Sequence, residues 1–418
     1  MFHRGKLLVF LASSLVILYG VSAAFFGKVV AKDEAYKELS VFMDALRKIN
    51  EDYVEAPDMS KVQEGAMRGL IDALDPYSSF LTKEQAQLIE SRKASGTAAT
   101  GMTVSKRADV VYVVSVKRNG PADAAGMRVG DYLVAIDGTG IEDKSLLEVD
   151  SLLRGAPDSQ VKVTVFRNAR TKPQEIAITR KIDKPVPVRT QLLEDGIGLL
   201  DVSSLAESMV DEAQVKLKTL ISAGAQKFIL DLRDCADGEP TDAVALANMF
   251  LQEGIIYYSQ NRQGERIQEV RATPEKFVTN LPLAVLINGS TAGPAEIVTG
   301  ALKDNKRAIV IGEKSFGVGS AQKRIALKSG AQLVLSIAKF YTPGGKMIQD
   351  DSIRNTGIKP NVQAPDEERQ QDLLVESYYD EKEDAVKFRE LRDKIAKEQL
   401  NKAIEILTKG QAILKRAA

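Results

Sequence analysis

The stretch from Leu283 to Gln322 restricts the folds open to this chain more than any other. Leu283 to Ile287 is a short apolar run of the kind that is buried in a sheet. Asn288-Gly289 breaks the run and opens a turn. Gly293 then stands where a helix N-cap would be, with Pro294 at the first helical position and Glu296 in the first turn. The helix is expected to run to about Lys303, with a second buried strand at Ala308 to Ile311. A glycine-rich loop, Gly312 to Gly319, closes the unit. Such a strand–turn–helix holds a turn residue above the sheet at the positive end of a helix, where hydrolases often carry a nucleophile.

Composition removes several chemistries. The 418 residues suffice for two or three domains, and 57 basic residues balance 57 acidic ones. No global field draws the chain to nucleic acid, and no nucleic-acid partner is expected. The one cysteine, Cys235, excludes an internal disulfide or a cysteine-cluster metal site. The one histidine, His3, precedes the first apolar stretch, so a Ser-His-Asp triad, a Cys-His pair and a His-ligated metal are excluded from the folded body. No metal and no cofactor is expected. Ser–Lys chemistry, which needs no imidazole, stays open.

Residues 7–26 are free of charge, and 20 residues at about 1.5 Å each span a bilayer core of roughly 30 Å. Arg4 and Lys6 precede them, which argues for export of the rest of the chain. Residues 1–27 therefore read as a membrane anchor or, with Val21-Ser22-Ala23 as cleavage site, a signal peptide. Residues 28–82 read as a helical region: Leu39, Phe42, Met43, Leu46 and Ile49 recur at helical spacing, as do Val62, Ala66, Leu70 and Leu74. Asp75-Pro76-Tyr77-Ser78-Ser79-Phe80-Leu81 ends the second helix. Residues 363–418 read as a charge-rich tail, helical from about Asp384 to Leu414, a pattern that suits a solvated or dimer-forming helix.

Residues 83–182 read as a β-rich module. Val110 to Val116 and Val161 to Phe166 are β-branched runs, and Asp137-Gly138 signals a hairpin turn after Tyr132 to Ile136. The run Gly120-Pro121-Ala122-Asp123-Ala124-Ala125-Gly126-Met127-Arg128-Val129-Gly130-Asp131 resembles the PDZ signature closely. That resemblance implies capture of extended polypeptide C termini, or of unfolded protein, by strand addition to a sheet edge. The carboxylate loop would be Ala99-Thr100-Gly101-Met102, where Thr100 departs from the usual pattern.

In residues 183–362, Ile197 to Val202 and Phe228 to Leu232 read as strands of an α/β core, with an amphipathic helix between them. Glu64-Gly65-Ala66-Met67-Arg68-Gly69, the Asp-Pro turn, the Leu283–Gln322 unit, Tyr341 to Gln349 and Gly357-Ile358-Lys359-Pro360 resemble, in the same order, the carboxyl-terminal processing peptidases, tail-specific serine proteases with a Ser–Lys dyad. The resemblance covers roughly Ala35 to Pro360. It implies an α/β multidomain fold: N-terminal helices, a PDZ module, a crotonase-like protease core and a C-terminal helical tail. In that family the nucleophilic Ser lies three residues before the helix Glu, the Lys 25 residues after the Ser, and a supporting Gln four beyond the Lys. Here those positions are Gly293, Val318 and Gln322, so only the Gln is present. The oxyanion region departs as well. Asp234-Cys235-Ala236-Asp237-Gly238 replaces Asn-Asn-Pro-Gly-Gly, which sets a carboxylate at Asp237, and Pro294 lacks the N–H expected after the nucleophile.

Two substitutes for the missing groups stand nearby. Ser290 and Lys314 are 24 residues apart, close to the family spacing, and form an alternative nucleophile and base. A nucleophile displaced by three extended residues moves by about 10 Å, however, while nucleophile and base must lie about 3 Å apart. Cys235 lacks a His to activate it and reads as a small buried thiol. Gly312 to Gly319 has P-loop-like glycine spacing, but Val318 stands where Lys would be needed. The expectation is a protein that binds polypeptide C termini, a protein adaptor or a second copy of itself without hydrolysing peptides. The alternatives are an active serine endopeptidase with a rearranged site and a structural subunit of a protease complex.

Overall fold

The computed structural model describes residues 39–94, 98–107, 110–167, 172–182, 184–206, 208–350, 355–366 and 385–409. The apolar stretch 7–26, and with it the anchor or signal peptide, lies outside them. Among the described residues no helix is long and apolar enough to cross a membrane. The first part of the chain forms a helix α1 over residues 39–52 and α2 (Met59–Asp72), the two helices expected from the apolar spacing.

The Asp-Pro turn that ends α2 is a splice into the core. Asp75 Oδ1 accepts the N–H groups of Tyr77 (2.8 Å) and Ser78 (2.9 Å), and its Oδ2 accepts the Ser78 hydroxyl at 2.8 Å. Ser336, far along the chain, donates its own hydroxyl to Asp75 and its N–H to Ser78. The turn thereby delivers β1 (Ser79–Leu81), which pairs with a core strand, and α3 (Lys83–Ala94), whose Ala86 and Ile89 pack on Leu81 and Val334.

The β-rich module comes next as β2 (Ala98–Ala99), β3 (Met102–Arg107), β4 (Val110–Val116), α4 (Pro121–Ala124), β5 (Tyr132–Ile136), β6 (Thr139–Gly140), α5 (Leu146–Leu153), β7 (Gln160–Phe166), β8 (Gln174–Thr179) and β9 (Lys181–Ile182). Its main sheet has the order β3-β4-β5-β7-β8, with β3 at one edge, and β2 pairs separately with β9. Alternate residues of β7, Val161, Val163 and Val165, are fully buried, as a half-exposed strand requires. Asp137 and Gly138 both have positive φ, the condition for the tight β5–β6 hairpin.

The core comprises β10 (Arg189–Leu192), β11 (Ile197–Asp201), α6 (Met209–Ser222), β12 (Lys227–Asp231), α7 (Pro240–Asn248), β13 (Ile255–Gln260), β14 (Arg266–Arg271), β15 (Leu283–Ile287), α8 (Pro294–Asp304), β16 (Ile309–Gly312), β17 (Ser320–Ala326), β18 (Gln332–Tyr341), β19 (Val362–Gln363) and α9 (Ala385–Lys409). One sheet runs β10-β11-β12-β15-β16-β19, parallel from β11 onward. A second, antiparallel sheet joins β17, β18, β13 and β14 with β1. Parallel strands buried on both faces read as unbroken apolar runs, and β15 is buried at every residue. Leu283, Val285 and Ile287 face α6, α7 and α8, while Ala284 and Leu286 face the other way.

That other face is covered by α9. Ala403, Ile406 and Leu407 are buried against Ile197, Ile229, Ala284, Leu286 and Ile311. Arg233 fixes the helix further, donating to the Ala396 carbonyl (2.7 Å) and the Gln399 side chain (3.0 Å) while paired with Asp231. The reading of this segment as a solvated helix is thus corrected. It carries an apolar stripe that completes the sandwich of the parallel sheet.

Candidate functional site

The site forms where β15 gives way to α8. Asn288 leaves the sheet and organises the turn: its amide oxygen accepts the N–H of Asp234 (3.1 Å) and of Ser290 (3.1 Å), and its amide nitrogen donates to Asp234 Oδ1 at 2.8 Å. Thr291 donates its hydroxyl to the Leu232 carbonyl. These bonds tie the end of β15 to the end of β12. Gly293 is then driven to φ 60°, ψ −119°, a sharp conformation that L side chains rarely adopt. A Cβ added there would meet nothing within 4 Å. Glycine adopts this conformation without strain, and the space that a side chain would fill is open.

Glu296 locks this turn to the glycine-rich loop. Although fully buried, it accepts four hydrogen bonds: from the N–H of Gly293 (2.9 Å), Gly317 (2.8 Å) and Val318 (2.7 Å), and from the Ser315 hydroxyl (2.5 Å). Burial pushes its carboxyl up to about 7 against those donors, which favour the charged form. Ser315 accepts in turn from the N–H of Ile358 at 2.7 Å. Gly317 has φ +100°, and a Cβ there would lie 2.0 Å from the Thr356 hydroxyl, so the loop can only pass here as glycine. From sequence alone Glu296 reads as a first-turn acid at the helix-Glu position of the resembled family. Its spacing from Gly293 is visible there, but its partners 19 to 22 residues downstream are not.

The structure places each of the other residues singled out from sequence. Val318 is half-buried among Val114, Ala292, Phe316, Tyr112 and Ala236, an apolar cluster. Gln322 is exposed on β17 and donates to the Tyr77 carbonyl at 2.7 Å. Pro294 begins α8 and offers no N–H. The Asp237 carboxylate accepts the Ser204 hydroxyl (2.8 Å) and the Leu205 N–H (2.9 Å), so its charge is held by that loop. Gly238, at φ +98°, abuts the same loop, where a Cβ would sit 2.7 Å from that of Leu205. Ser290 is buried and gives its hydroxyl hydrogen to the Val114 carbonyl at 2.7 Å. Lys314 is half-buried one residue before Ser315. Cys235 is fully buried, and burial together with the Asp237 charge holds its thiol well above the ordinary range, which makes it a poor thiolate. Among the described residues no cluster of His, Cys, Asp and Glu could hold a metal.

In the β-rich module the loop after β2 is rigidly placed. Ala99 and Thr100 are buried, the Ala122 N–H donates to the Thr100 carbonyl, and the Lys117 N–H to that of Gly101. Gly101 has φ +73°, and Met102 starts the edge strand β3 beside α5. The Gly-Asp end of the signature is closed by an ion pair: Arg167 grips both oxygens of Asp131, at 2.8 and 2.7 Å, while Asp131 caps the Arg128 N–H. The outer part of β3 is covered, with Ser105 and Lys106 buried and the Tyr77 hydroxyl 3.0 Å from that of Ser105.

Comparison with known proteins agrees with this architecture. Residues 98–178 match the PDZ domain, and residues 196–364 match peptidase family S41. A carboxy-terminal-processing protease of Bartonella bacilliformis is 31% identical over 360 residues, spanning 85% of this chain and 80% of that one. The carboxy-terminal processing protease CtpA of Bacillus subtilis is 28% identical over 84% of this chain and 74% of its own length. Among solved structures, the photosystem II D1 C-terminal processing protease superposes with a TM-score of 0.64 at 26% identity, covering 77% of this chain and 92% of that one.

Proposed function

Because the chain belongs to the carboxy-terminal processing proteases of peptidase family S41, we propose that it is a member whose peptide-bond chemistry has been lost and whose polypeptide-binding module has been kept. The observation that carries this reading is the turn at Gly293. The backbone is bent as for a nucleophile and the space for a side chain is open, yet no hydroxyl is there. The base position, Val318, is an apolar residue among apolar neighbours. Loss of a nucleophile costs on the order of 10⁶ in turnover, roughly 8 kcal/mol at 1.36 per decade. The missing N–H at Pro294 adds about 10²–10³. Against an active enzyme with a relocated dyad stands the Ser290 hydroxyl, which is committed to a backbone carbonyl.

On this reading the protein captures free polypeptide C termini along β3 through the loop Ala99-Thr100-Gly101-Met102. It does so outside the cytoplasm, held at the membrane by residues 7–26. Incubating the full-length protein overnight with an unfolded polypeptide, then measuring intact masses, tests the absence of hydrolysis. The substrate should be recovered whole. Fragments that vanish in Ser290→Ala would establish the relocated dyad instead. Alkaline carbonate extraction tests the tether, and release of the full-length chain would remove it.

A further inference from the structure

We propose that the former catalytic surface has become a fixed seat for the PDZ sheet, so that module and core move as one body. Strand β4 lies across three segments that a working site would present to substrate: 234–236, 290–292 and 316–318. The polar contacts are specific. Ser290 donates to the Val114 carbonyl at 2.7 Å, Ser115 donates to the Asp234 carbonyl at 3.1 Å, and Arg118 pairs with Asp234 Oδ2 at 3.3 Å. Asp234 is itself held by Asn288, the residue that shapes the turn. Between these contacts the surfaces are apolar. Val114, Ala292 and Phe316 are buried together, flanked by Tyr112, Ala236 and Val318, and the Tyr112 and Phe316 rings lie 5.8 Å apart.

The seat explains the residue at the base position. An ammonium group at 318 would lie beside Phe316 and Val114, apolar neighbours that do not stabilise a charge. Valine at that position lets the cluster close. The substitution that removes the base therefore also removes a charge from the seat. Two further props hold the module. From α3, Gln85 donates to Glu148 at 2.7 Å and Arg92 to the Ser151 carbonyl, while the same helix packs on β1 and β18. From α9, Arg389 donates to the Asp123 carbonyl at 2.9 Å and Arg392 lies 3.8 Å from the Asp123 carboxylate, while the far end of that helix is buried under the parallel sheet. The PDZ module is thus gripped at β4, α5 and α4 by three elements, each anchored in the core. A peptide reaching β3 would meet a groove of fixed orientation, a consequence that rests on the peptide-binding reading; the seat itself does not.

Spin labels on Gln160→Cys in the module and Val215→Cys on α6, both exposed, would read the arrangement in the full chain; Cys235 is buried and stays unlabelled. A single narrow distance distribution is expected, unchanged by excess of an alanine-rich decapeptide with a free carboxylate. Binding of that peptide is scored separately by anisotropy. Val318→Lys should at least double the width of the distribution, as should the milder Ser115→Ala/Arg118→Ala pair, which leaves both cores intact. A broad distribution in the unmodified protein, or a shift on peptide binding, would overturn the seat. So would variants as narrow as the parent. If the peptide fails to bind, the capture reading falls while the unliganded and variant distributions still decide the seat.

Discussion

The PDZ module and the catalytic region of the core have fared differently on the same chain. In the module the parts expected to bind are in place: Gly101 turns the loop, Asp131 of the signature caps Arg128 and pairs with Arg167, and β3 stands at a sheet edge. In the core the backbone is equally well specified. Asn288, Thr291, Gly317 and Glu296 hold turn and loop in register, while the positions that would do chemistry hold Gly and Val. On the proposed reading, the scaffold of an active site and its reactivity are separable. Four hydrogen bonds to one buried carboxylate stabilise the fold whether or not a nucleophile stands beside them.

The largest expected effect would break the contrast. Gly293→Ser, Val318→Lys and Pro294→Ala together return hydroxyl, base and oxyanion donor, and should raise cleavage of an unfolded polypeptide from undetectable to measurable. Each single change should leave it undetectable, because these groups act as a unit and their effects do not add. Endpoint mass spectrometry reads both outcomes. Asp237→Gly should bring no further gain, since that carboxylate serves Ser204 and Leu205.

Stability differences between two glycines come next. Gly317→Ala forces a Cβ into the Thr356 hydroxyl and should destabilise by more than about 4 kcal/mol, among the largest single-residue effects. Gly293→Ala meets open space and should cost only the backbone strain, about 1–3 kcal/mol. Urea unfolding of the two variants separates them. Equal losses would mean that the turn is not held in the strained conformation.

Glu296 gives a pH signature of intermediate size. Its carboxyl keeps the proton to about 7 in the folded protein, against 4.5 as its ordinary value. Between those pH values the folded state binds more protons than the unfolded one, so this group's contribution falls as pH rises from 4.5 through 7. The difference is roughly 3 kcal/mol at 1.36 per pH unit. Glu313, also raised by burial, acts in the same direction. Glu296→Gln should flatten that slope in a pH series of unfolding curves. An unchanged slope would mean that Glu296 titrates no differently in the two states. At the small end, Arg118→Ala removes a partly exposed ion pair and should cost at most about 1 kcal/mol.

Much of this was legible in the sequence, because periodicity and turn chemistry are local. The β15–α8 unit, the Asp137-Gly138 hairpin and the PDZ signature each rest on residues a few positions apart. What was hidden depended on partners brought from afar. Ser290 meets Val114 across 176 positions, and Asp237 meets Ser204 across 33. The α9 stripe of Ala403, Ile406 and Leu407 looks like a surface pattern until the parallel sheet supplies its other half. A buried carboxylate such as Glu296 cannot be told from a surface acid by type, since only its four donors reveal it.

One measurement bears most directly on the claim that binding survives where chemistry does not. A free-carboxyl peptide and its amidated twin are titrated into the full-length protein by calorimetry, and the peptides are then recovered and weighed. At least tenfold tighter binding of the free carboxylate is expected, with both peptides recovered intact. Equal affinities, or peptide returned in fragments, would contradict it.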